Sequence, residues 1–266
     1  MSFLITKKSI NRLSTRHRTL SSSALIKLPS HFGKWLVGFG MLLVSLSLTA
    51  NSLEVLKPFT AVFSVYRNII PLGNLTLNFD LNSVGEYTYT AHTNPGMLAG
   101  IFQRDEVVEK SQGSLINNQI KSNHYSYRNI DDTSANTDVK FDWHKLNVNT
   151  KSHGVTWSQL ISSGIQDKLS QQLQVRIHLA QGSESVSYQV ADGGKLKTYQ
   201  FQVDGEEVVE TPYGELNCLR VKRRKESRPP DYTIWFAAKL NYLPVKIERT
   251  QGEELYRMVL DKLTHH

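Results

Sequence analysis

Cysteine is almost missing from this chain. Cys218 is the only one in 266 residues, so no internal disulfide can form. It lies far from the N-terminal segment, which therefore offers no thiol for lipid attachment. Its neighbours Leu216, Leu219 and Val221 mark it as a small core residue rather than a reactive thiol. Acids are missing from the start: Glu54 is the first of 24 Asp and Glu. The uncharged apolar stretch Trp35 to Leu48 has only fourteen residues, and a membrane-spanning helix needs about 20.

Catalytic signatures are missing too. No Gly-x-Ser-x-Gly, Gly-x-Gly-x-x-Gly or phosphate loop occurs. The later histidines, His92, His124, His144, His153 and His178 with the terminal His265 and His266, stand in no His-x-His or His-Glu-x-x-His spacing. Asp131-Asp132 and Glu206-Glu207 are adjacent, and neighbours on a strand face opposite ways, which makes them poor acid/base partners. The sequence therefore assigns no catalytic residue, no cofactor and no metal site.

What is present begins with a leader. Lys7, Lys8, Arg12, Arg16, Arg18, Lys27 and Lys34 precede the apolar stretch, and Thr49, Ala50, Asn51 and Ser52 follow it. A basic region, an apolar region and small residues spell a signal peptide over 1–52, leaving a mature domain of 53–266. Ala50 and Ser52 fill the small positions for a cut before Leu53. The expected location is the periplasm, with an uncleaved inner-membrane anchor as the alternative. The leader carries seven of the 31 Lys and Arg, so the remainder balances at 24 bases and 24 acids. The basic pI is a property of the leader. After cleavage nothing points to nucleic acid or to an integral membrane span.

The remainder reads as short strands around one helix. Phe59, Ala61, Phe63 and Val65 alternate, as do Leu75, Leu77, Phe79 and Leu81, with Pro71 and Gly73 expected at the turn between them. Tyr125 and Tyr127 share a face, then Val139, Phe141 and Trp143. A phase slip at His144-Lys145 suggests a bulge. Later come Val186, Tyr188 and Val190, then Tyr199, Phe201 and Val203, with turns at Asp192-Gly193-Gly194 and Asp204-Gly205. The helix is expected over 164–180, after a loop containing Trp157. Ile165, Leu169, Leu173, Ile177 and Ala180 form its apolar stripe. Gln166, Lys168, Ser170, Gln171 and Gln174 fill the other face. Ser163 is the expected cap, Asp167 meets the positive end of the dipole, and Gly182 is the stop. The fold class is mainly β: an antiparallel sheet rolled into an open or half barrel with one amphipathic helix packed across it.

Asp231 to Arg249, with Trp235-Phe236, a turn and Leu243-Pro-Val-Lys-Ile247, resembles the C-terminal hairpin of an exported bacterial family, domain of unknown function 3108. Gln166 to Ser170 and Gly73 to Leu77 match two further stretches, and the resemblance covers about residues 58 to 263. The same hairpin is more distantly similar to periplasmic lipoprotein carriers, whose open barrel holds acyl chains under a helical lid. These are fold motifs.

The export signal, the barrel pattern with a lid helix and the absent catalytic motifs point to a binding protein of the cell envelope. Met97, Leu98, Ile101 and Phe102 in an apolar loop, with Trp143, Trp157, Leu169, Leu173 and Trp235, are the candidate lining of a ligand cavity; the alternative is an ordinary packed core. Lys222 to Lys225 with Arg228 reads as a solvated strand end, an anion site being the alternative. The expected function is non-enzymatic binding of a lipid or other apolar ligand, or of an envelope protein. A cell-envelope hydrolase or modifying enzyme with an unrecognised site is the alternative.

Overall fold

The structure is a computed structural model that describes residues 55–96, 105–226 and 229–266. The leader and the loop residues Met97, Leu98, Ile101 and Phe102 lie outside the described residues. One antiparallel sheet of fourteen strands dominates. Its first half runs β1 (Phe59–Arg67), β2 (Ile70–Leu81), β3 (Glu86–Pro95), β4 (Val107–Ile116), β5 (Gln119–Asn129), β6 (Thr137–Asp142), β7 (Asn147–Ser152) and β8 (Val155–Leu160). Its second half runs β9 (Ser185–Asp192), β10 (Lys195–Thr211), β11 (Gly214–Lys225), β12 (Pro230–Ala237), β13 (Leu243–Gln251) and β14 (Glu254–His265). Each half is a meander, and β1 pairs with β14 to join them. The edges are therefore β8 and β9, which do not pair with each other. The expected open antiparallel barrel with a helix is what forms.

The alternation read from sequence is the alternation of burial. Phe59, Ala61, Phe63, Val65, Leu75, Leu77, Phe79, Tyr87 and Tyr89 are all buried. Phe59 stacks on Phe79 at 5.9 Å, and Tyr89 meets Phe79 edge-on at 5.9 Å. Burying each such ring contributes about 1.5–3 kcal/mol.

Four local expectations change. The first hairpin turns at Asn68-Ile69, and Pro71 and Gly73 lie inside β2. Gly73 sits opposite Val65 just before the register shift between Val65 and Tyr66, and a Cβ there would stand 2.3 Å from the Asn94 carbonyl oxygen. The slip at His144-Lys145 is a hairpin turn, in which Asp142 Oδ1 accepts the amides of His144 and Lys145 at 3.1 and 3.0 Å. Asp204-Gly205 is a bulge within the long strand β10, not a turn. Trp157 belongs to strand β8 rather than to a loop. Each pattern broke its alternation in sequence, and a bulge and a turn break it alike.

The helix α1 spans Ser170–Ala180, shorter than expected. The residues before it run along β9 instead: Gln166 accepts from the Ala191 amide, and its own amide donates to Gln189, both at 2.9 Å. Gly182 ends the helix as expected, with its amide on the Leu179 carbonyl at 3.0 Å. The stripe Ile165, Leu169, Leu173 and Ile177 is buried, but so are Gln171 and Gln174 from the polar face, and Arg176 with them. Val175 and Leu179 pack with Tyr188, Phe201, Val221 and Phe236. On the opposite side Gln174 reaches β5 and Gln172 reaches Tyr89 on β3. The sheet thus meets the helix from both halves.

Candidate functional site at the sheet seam

Where the chain leaves β8 and enters the helix, polar side chains replace missing strand partners. β6 covers β5 only from His124 to Tyr127. Beyond it, Gln174 Oε1 accepts the Ile120 amide at 2.7 Å, and Gln166 Nε2 donates to the Ile120 carbonyl at 2.9 Å. Two glutamines thus complete the edge of β5.

Asp167 is the hub of this crossing. Its Oδ1 accepts the amides of Leu169 and Ser170 at 2.7 and 2.8 Å. Ser170 Oγ in turn accepts the Asp167 amide at 2.8 Å. This reciprocal pair is a capping box, so Asp167 and Ser170 cap the helix and the expected Ser163 does not. Oδ2 accepts from Ser111 and Ser122 at 2.6 and 2.5 Å. Ser111 thereby gives up its proton, and the Tyr87 hydroxyl donates to it at 3.0 Å. Complete burial pushes the Asp167 carboxyl above its ordinary value, although all four donors pull the other way.

A second hub anchors the β9–β10 turn. Asp192 takes Lys168 at 3.2 Å, Lys197 at 2.9 Å, the Tyr199 hydroxyl at 3.0 Å, and Lys225. Burial opposes ionisation of Asp192, and the three ammonium groups outweigh it, holding the carboxyl far below the usual range. The basic run therefore divides by strand parity. Arg223 is buried, bidentate on Asp231 at 3.1 and 2.6 Å, and stacked between Tyr199 and Tyr232. Lys225 also turns inward, while Lys222 and Arg224 are exposed. The solvated strand end describes only half of it, and Arg228 lies outside the described residues.

Among the described residues, the expected cavity residues Trp143, Trp157, Leu169, Leu173 and Trp235 do not line one common cavity. Leu169 and Leu173 are fully buried core. Trp143 stacks on Phe141 at 5.7 Å and donates to the Ser122 carbonyl at 2.9 Å. Trp235 donates to Glu207 at 3.0 Å and lies under Lys246, while its neighbours Ile234 and Phe236 line the gap beneath the helix. That gap measures about 30 Å³, room for about one water. Trp157 is on the edge strand, 37% exposed, against Gly194 of the β9–β10 turn.

The seam leaves a strand edge open. β8 has β7 on one side and no strand on the other. Its six residues carry no charge and no proline, and Val155 and Leu160 are 49% and 79% exposed. Strand edges are normally blunted by Lys, Pro or bulges. β8 has none of these. Two imidazole–carboxylate pairs, His92–Glu106 at 2.6 Å and His124–Asp138 at 3.0 Å, are half-exposed, and neither lines the gap.

The family described as Protein of unknown function (DUF3108) matches residues 62–258. The chain belongs to this family. No curated protein matches it in sequence. Among solved structures, the family member is similar to a beta-barrel-like protein of domain of unknown function DUF1849 from Brucella abortus. That likeness has 13% identity, covers 79% of this chain and 98% of the other, and has a TM-score of 0.51. A protein with a YmcC-like fold from Bacteroides fragilis gives 12% identity, coverage of 79% and 96%, and a TM-score of 0.29. At such identities the first likeness speaks for the fold alone. Among the described residues no helix is long and apolar enough to cross a membrane.

Proposed function

We propose that this chain is an exported, non-enzymatic envelope protein that binds a partner protein by strand addition to β8. The single observation behind this is the β8 edge, uncharged, unblunted and apolar at Val155, Trp157 and Leu160. An extended segment of a partner would supply the missing ladder, backbone groups giving affinity and alternate side chains giving specificity. The 30 Å³ gap beneath the helix favours this reading over an acyl chain held inside the barrel. Export rests on the leader: cleavage before Leu53 would place the mature start two residues from Val55, which is already buried with Leu56.

The test is a photo-crosslinking amino acid at Ser158, in cells that make the full chain. A discrete adduct is expected, lost when Thr156→Lys blunts the edge and kept when Lys replaces the exposed Val208 on β10. No adduct, or an adduct indifferent to Thr156→Lys, sinks the reading.

A further inference from the structure

Three lysines from separate parts of the chain meet at the β9–β10 turn. Lys168 precedes α1, Lys197 lies on β10 and Lys225 ends β11. They do not share the Asp192 carboxylate evenly. Lys168 takes Oδ1 at 3.2 Å. Lys197 at 2.9 Å, the Tyr199 hydroxyl at 3.0 Å and Lys225 all donate to Oδ2. One carboxylate oxygen therefore serves three donors, two of them cations.

Lys197 and Lys225 are short of negative charge. Among the described residues neither has a second carboxylate within ion-pair distance. Asp231, on the neighbouring strand β12, is taken by Arg223. Each ammonium carries three protons and spends one on Asp192. Burial pulls the Lys225 pKa below its ordinary value, Lys197 pulls the same way, and the attraction of Asp192 does not make up the difference.

The two ammonium groups are also within reach from outside. Asp192 itself is 7% exposed, but the Lys197 and Lys225 side chains keep 21% and 24% of their surface in solvent. Lys197 Nζ lies over the turn, 3.6 Å from where a Cβ on Gly193 would stand. Among the described residues nothing else beyond the adjoining chain comes within 4 Å of that point. The glycine leaves open space beside the ammonium.

We propose that Lys197 and Lys225 bind a phosphate group at the β9–β10 turn. A lysine ammonium is a compact point charge that suits phosphate. A dianion matches two cations that otherwise share a single carboxylate oxygen, and its several oxygens can take the protons that Asp192 leaves unused. The phosphate belongs either to a soluble ligand or to a lipid headgroup.

The probe is inorganic phosphate, titrated into the purified full chain at constant ionic strength and followed by phosphorus NMR line broadening, with chloride making up the balance. Binding in the millimolar range is expected for so small a ligand. Lys197→Gln and Lys225→Gln are each expected to weaken it about tenfold, the loss of one charged hydrogen bond. Both variants leave Asp192 with two cations, so circular dichroism should stay unchanged. Lys222→Gln, exposed on the same strand and paired with Asp204, leaves binding as it was. Vesicles of phosphatidylcholine with phosphatidic acid separate the two sources. Capture that falls with Lys225→Gln assigns the phosphate to a lipid, and phosphate binding without such capture assigns it to a soluble ligand. No broadening beyond that of a chain denatured in urea, or broadening untouched by Lys225→Gln, overturns the proposal. None of these readouts depends on β8.

Discussion

Trp157 on the edge strand β8 rests on Gly194, the second glycine of the β9–β10 turn. A Cβ built on Gly194 would stand 2.7 Å from Trp157 Cδ2, and the glycine has φ +72°. Across the unpaired seam this contact brings the two edges of the sheet together. Gly194→Ala therefore meets both a left-handed backbone and the indole. We expect a loss of about 1–3 kcal/mol in urea unfolding and a red shift of the Trp157 emission. In a Trp157→Ala background the loss shrinks to the backbone cost alone. Equal losses in the two backgrounds would dissolve the contact.

Asp167 accepts four hydrogen bonds in a fully buried site. Asp167→Ala orphans two hydroxyls and two amides, and at about 1–3 kcal/mol each the expected loss is at least about 4 kcal/mol. Asp167→Asn keeps the Oδ1 acceptor for both amides and costs less. The carboxyl is raised in the fold, so its stabilising contribution is fully present below 3.8, its ordinary value, and is lost as pH rises through the folded pKa. The stability gap between wild type and Asp167→Asn therefore narrows with rising pH. A gap that widens instead would refute the burial argument.

Asp192 has the opposite sign. Its carboxyl is lowered in the fold, so its contribution is present above 3.8 and is lost as pH falls toward the folded value. Wild-type stability should decline as acid is added below about pH 4. Asp192→Asn should flatten that limb and lose about 3–5 kcal/mol at pH 7, because three ammonium groups then lack their carboxylate. Denaturant midpoints at pH 3 to 7 decide it, and an unchanged acid limb in the variant removes Asp192 from the account.

Cys218 is buried, and burial pushes its thiol up to about 11. The native protein should not react with an aromatic disulfide reagent at pH 8 within the time in which the unfolded chain releases one equivalent. Prompt reaction of the native protein would put Cys218 on an accessible surface.

The hairpin Asp231 to Arg249 carries enough local pattern to identify family and fold class, because strand alternation, a turn and Leu243-Pro244 recur in order along the chain. The stripe Ile165, Leu169, Leu173 and Ile177 likewise announces one buried helix. The sites are a different matter. Nothing local tells that Gln166 and Gln174 complete β5, that Asp167 gathers serines from β4 and β5, or that Asp192 collects three lysines. Their polarity in sequence reads as a solvent face, since a one-dimensional pattern cannot show a second half-sheet covering that face.

By itself the sequence determined strand parity, the helix stripe and the absence of an internal disulfide, which are read from residue type and local spacing along the chain. Only the tertiary structure decided which polar residues are buried and which edges stay open. Those depend on the pairing of β1 with β14, on the failure of β8 to pair with β9, and on the helix crossing inside. Such relations join residues distant in the chain, and they are fixed by how a twisted sheet of fourteen strands curls around its core.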